Sequence, residues 1–161
     1  MIELLIVIAI IAIIAGVVFV ALDPLQRFQD ARNARRTADI TNLLSAIKIN
    51  QVDNGGSYQG AIGNTTDGSV YMIGTDTVNC NSFGAQCPFA QVTESTCVDL
   101  TSLASSGYLG SIPVSPNGGG APSGGWTAGH SGYTLSRAAT GIITITACES
   151  ENLAQAISLS R

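Results

Sequence analysis

The first twenty-two residues form an almost uninterrupted apolar run with a single charged side chain, Glu3. At about 1.5 Å of rise per helical residue, residues 4–22 are just long enough to cross the roughly 30 Å hydrocarbon core of a bilayer. A carboxylate in lipid is costly unless it snorkels to the headgroups or meets a positive charge. A single span has no internal partner, and in a packed array of identical chains the obvious cation at this depth is a neighbour's α-amino group. Glu3 is therefore predicted to set the register between subunits.

This run also has a family signature. Residues 2–13, Ile-Glu-Leu-Leu-Ile-Val-Ile-Ala-Ile-Ile-Ala-Ile, resemble the N-terminus of type IV pilins and of the related type II secretion pseudopilins. The resemblance implies a processed and methylated N-terminus, helices bundled in the core of an extracellular fibre, and a role for Glu3 in subunit registration. Family members usually carry four residues before this glutamate, whereas Met1 and Ile2 precede it here. The chain is therefore expected to be either a trimmed mature form or the product of a misplaced start codon.

The predicted fold class is α+β, with a long N-terminal helix packed on a small antiparallel sheet that disulfides stabilise. Residues 1–52 are assigned to the helix, with 1–22 as the transmembrane segment or filament core and 23–52 as an amphipathic half. The predicted buried stripe of this half is Phe28, Ala31, Ala34, Ala38, Ile40, Leu43, Leu44 and Ile47. Gly16 and Pro24 bound a predicted weak region, which unwinds by the family resemblance or simply kinks at the proline.

Residues 53–161 are predicted to form a loop-rich globular head. A β-hairpin is expected at about 132–147, a third strand at 69–74, and one or two helical turns at 98–104. Residues 103–116 resemble a pilin and pseudopilin element that ends in an Asp-Pro turn, but Ser115 stands in the place of the acid. The glycine-rich stretch 118–125 is predicted to be a flexible surface loop.

Four cysteines, Cys80, Cys87, Cys97 and Cys148, all lie in the head. An even number of cysteines in an exported domain indicates disulfides. The favoured pairs are Cys80 with Cys87 and Cys97 with Cys148. Zinc is disfavoured, because no two cysteines have the close spacing of structural sites.

No cofactor, metal ion or enzymatic activity is predicted. Major pseudopilins have a calcium site in the loop region that follows residue 112, but residues 115–120 offer no carboxylate. His130, the single histidine, lies in a glycine-rich loop and is interpreted as an exposed bystander. Asn64 begins an Asn-Thr-Thr triplet that matches the N-glycosylation pattern.

The charges restrict the partners and raise a question of orientation. A net charge of −4 argues against direct nucleic-acid binding. Five of the seven basic residues follow the apolar run: Arg27, Arg32, Arg35, Arg36 and Lys48. Taken alone, this bias places the flank in the cytoplasm. The family resemblance implies the opposite orientation.

These observations favour a major structural subunit of a type IV pilus-like homopolymer for adhesion, twitching motility or DNA uptake. The alternatives are a major pseudopilin of a type II secretion system and a monomeric membrane-anchored binding domain. The resemblance implies a prepilin peptidase, an assembly ATPase and a platform protein as partners. The subunit is expected in the cytoplasmic membrane first and in an extracellular filament afterwards.

Overall fold

Two consecutive helices make up the first third of the chain. The computed structural model describes residues 1–58, 60–152 and 154–161, with the backbone alone at residues 21 and 22. Helix α1 (Ile2–Leu22) and helix α2 (Pro24–Asp53) are separated by Asp23, whose φ of 33° is left-handed. The Asp23 carboxylate accepts the Gln26 N–H at 3.4 Å, and Pro24 takes the first helical position, where its missing N–H breaks no bond. The backbone therefore ends one helix and starts the next at a single residue.

The head is built around a four-stranded antiparallel sheet in the order β1-β2-β3-β4. Its strands are β1 (Val70–Met72), β2 (Tyr133–Arg137), β3 (Ile143–Ala147) and β4 (Ser158–Ser160), and a short helix α3 (Thr101–Ser105) lies between β1 and β2. Leu135 of β2 lies opposite Tyr71 of β1 and Ile145 of β3, which fixes the register of these three strands. The predicted α+β fold class is confirmed.

The core lies between α2 and the inner face of the sheet. Helix α2 contacts β3, β4 and α3. The buried apolar side chains of α2 are Ile40, Leu43, Leu44, Ala46 and Ile47. They meet Leu135, Ile143 and Ile145 from the sheet, all fully buried. At roughly 1.5–3 kcal/mol for each large apolar side chain removed from water, this contact holds the helix on the sheet.

The buried stripe of α2 differs from the predicted one in its first half. Phe28, Ala31, Ala34 and Ala38 are exposed, whereas Asn33 and Arg36 are buried. Apolar periodicity gave the wrong face because the head covers these first turns with polar loops. The prediction holds from Ile40 to Ile47, where the sheet itself covers the helix.

The disulfide pairing differs from the favoured one. The structure joins Cys80 to Cys97 and Cys87 to Cys148. The reason is the 3₁₀ helix Cys80–Gln86, which places Cys80 and Cys87 at opposite ends of seven residues. At about 2.0 Å of rise per residue, a regular 3₁₀ helix of this length would place them about 14 Å apart, well beyond the roughly 7 Å that a disulfide spans.

Candidate functional site

The side chains of α1 have no covering partner in the described chain. Residues 2–20 are exposed on all sides of the helix, including Phe19 at 70% and Val20 at 82%. By length and composition, one helix can cross a membrane, and its most apolar window has a mean hydropathy of 3.4 with none of it buried. A helix that is apolar all round is stable against lipid or against other protein. The surface of α1 is therefore the first candidate functional site.

Glu3 lies in the first turn of α1, where a negative charge interacts favourably with the helix dipole. Its side chain is exposed and lies in a shallow groove with Met1, Leu4 and Val7. No salt bridge joins it to another residue in the described part of the chain. The carboxylate is thus accessible to a cation from outside the subunit.

Gly16 and Pro24 lie in different settings. Helix α1 continues through Gly16, and an added Cβ there would meet no atom within 4 Å. Gly16 lines a shallow apolar groove with Ala12, Val17 and Val20, a surface that allows another helix to approach closely. Pro24 directly follows the interruption at Asp23. The structure places the break at the proline end of the predicted weak region.

A second candidate site is a buried ion cluster that joins α2 to two loops of the head. Arg36 is 0% exposed, and its guanidinium donates hydrogen bonds to Ser115 Oγ at 3.2 Å and to the Pro116 carbonyl at 2.9 Å. The carboxylates of Glu149 and Glu151 lie 3.6 and 3.7 Å from its terminal nitrogens. A buried cation is tolerated here because two acids and several acceptors surround it.

One turn earlier, Arg32 and Asn33 hold the same loop. Arg32 Nε donates a hydrogen bond to the Glu151 carboxylate. The Asn33 side chain donates to the Glu151 carbonyl at 2.6 Å and accepts the Glu151 N–H at 3.1 Å. The chain beyond β3 is therefore attached to α2 by both its backbone and its side chain.

Three successive backbone amides complete the cluster. The N–H groups of Gly118 and Gly120 donate to Glu149, and that of Gly119 donates to Glu151, at 3.1 to 3.4 Å. A Cβ on Gly118 would collide with both carboxylates. Gly118–Gly120 lie in a loop, as predicted, and their amides form a concave cradle for anions that the chain itself fills.

The charges around Glu151 outweigh its burial. Desolvation alone would raise the pKa of this carboxyl, but the hydrogen bond and charge of Arg32, the charge of Arg36 and the Gly119 amide lower it below 4.5. The carboxylate is therefore ionised at neutral pH. The Glu151 charge in turn raises the pKa of Arg32, chiefly through their hydrogen bond.

Tyr133 ties α2 to β2 beside this cluster. Its hydroxyl donates a hydrogen bond to Asp39 at 2.7 Å. Burial of the ring, followed by the bond and charge of Asp39, raises the pKa of Tyr133 well above 10.0. The phenol stays protonated and serves as a structural donor.

His130 is packed more closely than a bystander in an exposed loop would be. Its ring stacks on Phe83 with centroids 4.1 Å apart, and Nδ1 lies 2.9 Å from Asp76 Oδ2. The stacking on Phe83 joins the glycine-rich loop to the 3₁₀ helix Cys80–Gln86, and the contact with Asp76 joins it to the segment before that helix. Both contacts give His130 a structural role.

The remaining predicted sites are isolated. Asn64 is exposed in the turn that follows the short 3₁₀ helix Gly60–Ile62. Within residues 1–58, 60–152 and 154–161, no three His, Cys, Asp or Glu side chains are grouped as metal ligands. The structure thus brings Glu149, Glu151, Arg32 and Arg36 together, and leaves Glu3 and Asn64 apart from them.

Comparison of the chain with family models, with curated proteins and with solved structures finds no match in any of the three. The architecture of a long apolar N-terminal helix, a small antiparallel sheet and two disulfides is consistent with the resemblance seen in the sequence. The functional interpretation therefore depends on the surfaces described above.

The ion cluster was missed from the sequence, although one signal could have found half of it. Arg36 lies four residues before Ile40 and is continuous with the stripe that includes Leu43, Leu44 and Ile47. A charge on such a face requires buried counter-charges. Glu149 and Glu151 follow β3 and Cys148, but no pattern in the neighbouring sequence indicates that they contact α2.

Proposed function

We propose that this chain is a structural subunit of a type IV pilus-like filament that polymerises through α1 and serves in adhesion, motility or DNA uptake. The main observation is the exposure of residues 2–20 of the apolar helix α1, on a chain that continues into a folded head. Identical helices in a bundle would cover that surface once the subunit leaves the bilayer. Close fit between helices is needed, because packing against other helices only replaces packing against acyl chains of similar polarity.

Two features of α1 support a polymer over a simple membrane anchor. Among the described residues, Glu3 has no ion-pair partner and Gly16 has no packing role. An anchor needs no carboxylate at its entrance, since the charge lowers the gain from burial in lipid, and it needs no small residue at which another helix can approach closely. Contacts with neighbouring copies explain both.

The head supports an orientation outside the cytoplasm. Its two disulfides, Cys80–Cys97 and Cys87–Cys148, are typical of proteins in oxidising compartments. Arg32 and Arg36, two of the cations that follow α1, form ion pairs with Glu149 and Glu151. These arginines have a folding role, so the basic flank is not purely a topology signal.

The deciding experiment replaces Glu3 by Gln, which removes the charge and keeps the size. The matched control is Glu94→Gln in the head, because Glu94 forms no side-chain hydrogen bond or ion pair with another described residue. Filaments that contain the chain are counted on host cells by immunogold electron microscopy, and the membrane pool is measured by immunoblot. Glu3→Gln should reduce filaments to a small fraction with an unchanged pool, and Glu94→Gln should leave both unchanged.

The outcomes separate the alternatives. Normal filament numbers in Glu3→Gln would contradict the registration role. Filaments confined to the envelope would indicate a secretion pseudopilus. A subunit that stays monomeric in the membrane of wild-type cells would indicate an anchored binding domain. A prepilin peptidase, an assembly ATPase and a platform protein belong to this proposal as partners.

A further inference from the structure

Glu3 has no ion pair in the described part of its own subunit, so its charge needs a cation from a neighbouring copy once α1 is buried in a filament. The chain has seven basic side chains. Four of them already donate hydrogen bonds to described residues: Arg32, Arg36, Lys48 and Arg137. The candidates are therefore the other three, which are Arg27, Arg35 and Arg161.

Two of these three cations lie beside exposed acids. Arg27 has Asp23 four residues before it and Asp30 three residues after it, both exposed on α2 or at its start. Arg161, which follows β4, lines a groove together with Asp53 at the end of α2. A carboxylate from another molecule would be repelled by the neighbouring acids at either position.

Arg35 is the cation that is best placed to receive a carboxylate from outside the subunit. Its side chain is 64% exposed and donates no hydrogen bond to a described residue. Its one acidic neighbour, Asp39, lies 3.9 Å from the guanidinium Nε and is 16% exposed. Asp39 accepts the Tyr133 hydroxyl at 2.7 Å instead. The guanidinium therefore keeps its donors free for a bidentate pair.

The helix surface beside Arg35 consists of small residues. Ala31 lies four residues before it and Ala38 three residues after it, and both are exposed on the same side of α2. Ala34 is exposed next to them. Small side chains allow the backbone of another helix to approach closely. This surface of α2 can thus receive a helix with bulky side chains.

The first two turns of α1 have the complementary charge and shape. Glu3 is the single charged side chain of α1, and it lies in a groove with the neighbouring Leu4 and Val7. All the other side chains of these turns are large, apolar and exposed: Ile2, Leu4, Leu5, Ile6, Val7 and Ile8. A carboxylate among bulky side chains on one helix therefore faces a guanidinium among alanines on the other.

Glu3 and Arg35 are suited to a contact between copies. They are 32 residues apart, about 48 Å along the two helices at 1.5 Å per residue. Each copy can give its carboxylate to one neighbour and its guanidinium to another. Such a head-to-tail contact does not close between two copies, and it generates an open helical polymer.

We propose that Glu3 of one copy pairs with Arg35 of a neighbouring copy that is displaced by about 48 Å along the fibre axis. The first two turns of α1 then pack on Ala31, Ala34 and Ala38 of that neighbour. The inference rests on the proposed filament and names the cation that sets its register. Arg35 takes the place of the α-amino group that the sequence suggested.

Exchange of the two charges in the full chain tests the pair in host cells. Glu3→Arg and Arg35→Glu should each reduce filaments to a small fraction of wild type with an unchanged membrane pool, because each places like charges together. The double variant restores opposite charges and should recover most of the wild-type filament number. The matched control combines Glu3→Arg with Arg27→Glu and should recover none.

A second measurement keeps Glu3 in place. The variant Arg35→Lys retains the positive charge, so filaments should form and a carbodiimide should link the Glu3 carboxylate to the introduced amine. The link is detected as subunit dimers on a denaturing gel and as a cross-linked peptide by mass spectrometry. Arg27→Lys is the matched control and should give no such peptide.

The readouts separate this inference from the proposed function. Absence of filaments of this chain in wild-type cells would overturn both. Loss of filaments in Glu3→Arg, without recovery in the double variant and without a link in Arg35→Lys, would overturn the pair alone. Normal filaments in Arg35→Glu, recovery with Arg27→Glu, or a link from Glu3 to a neighbour's α-amino group would also overturn it.

Discussion

Helices α1 and α2 are consecutive in sequence, yet they depend on different surroundings. Helix α1 is apolar on every side and packs on no described part of the head, whereas α2 buries one face that includes a charged residue, Arg36. Arg36 of α2 is thus buried while the apolar side chains of residues 2–20 are exposed, the reverse of the usual rule for these residue types. The contacts that stabilise α2 are present in this chain, whereas residues 2–20 of α1 have no covering partner among the described residues. Substitutions in the two helices should therefore affect different measurements.

The largest effect on the head is expected from Arg36→Met. The substitution leaves Glu149 and Glu151 without their buried cation, which costs about 3–5 kcal/mol of unfolding free energy. Arg35→Met is the control, since Arg35 is 64% exposed and 3.9 Å from Asp39, and it should cost at most about 1 kcal/mol. Urea unfolding of the two variants measures the difference. Equal midpoints would mean that the cluster does not hold the head on α2.

The two disulfides should contribute unequally. Cys87–Cys148 closes a separation of 61 residues and Cys80–Cys97 one of 17. Chain entropy then assigns about 4 kcal/mol to the first and about 3 kcal/mol to the second. The double variants Cys87→Ser/Cys148→Ser and Cys80→Ser/Cys97→Ser are compared by thermal unfolding. A greater loss from the shorter loop would contradict the entropic account.

Gly118→Ala should destabilise the head by about 1–3 kcal/mol through overpacking. Its Cβ would meet the carboxylates of Glu149 and Glu151, which Arg32 and Arg36 hold in place. Gly119→Ala is the matched control, because a Cβ there meets nothing within 4 Å. The two alanine variants differ by one position in the same loop, and their urea midpoints should be clearly separated. Coinciding midpoints would mean that this loop is free to move.

Acid should loosen the same cluster. The folded-state pKa of Glu151 is lowered from 4.5, so the folded protein binds fewer protons than the unfolded chain in that range. The stability from Glu151 is therefore present above about pH 4.5 and is lost as the pH falls through the folded-state pKa. Urea midpoints across this range should decline less steeply in Glu151→Gln. A parallel decline in both proteins would assign the effect to other acids.

The smallest effect on stability is expected from Glu3→Gln. Glu3 contacts no described part of the head, so the free energy of unfolding of the head should change by less than about 0.5 kcal/mol. The same substitution should strongly reduce filament yield. A change in the melting temperature of the head would mean that α1 and the head are coupled within one subunit.

The sequence predicted those elements whose signal is local. Alternation and β-branched residues in 141–147 indicated β3, and the apolar spacing of 40–47 indicated the buried face of α2. It did not predict β4, because Ser158–Ser160 has weak strand propensity and depends on its pairing with β3. It paired the cysteines wrongly because the 3₁₀ helix that separates Cys80 from Cys87 has no clear signature.

The candidate sites show the same difference between a local sequence signal and a dependence on distant contacts. Glu3 stood out because a carboxylate in an apolar run is anomalous within a few residues of sequence. The ion cluster did not, because Arg32 and Glu151 are 119 positions apart and meet only when α2 packs on the sheet. Nothing near Glu149 or Glu151 in the sequence distinguishes them from surface acids.

By itself, the sequence determined that this chain has a helix long and apolar enough to cross a membrane, together with a disulfide-containing α+β head, because hydropathy and periodicity act over neighbouring residues. The tertiary structure alone decided which cysteines join, where the edge strand pairs, and that Arg36 is buried among acids. These depend on contacts between segments far apart in the chain, whose free energy exists only after the segments have come together.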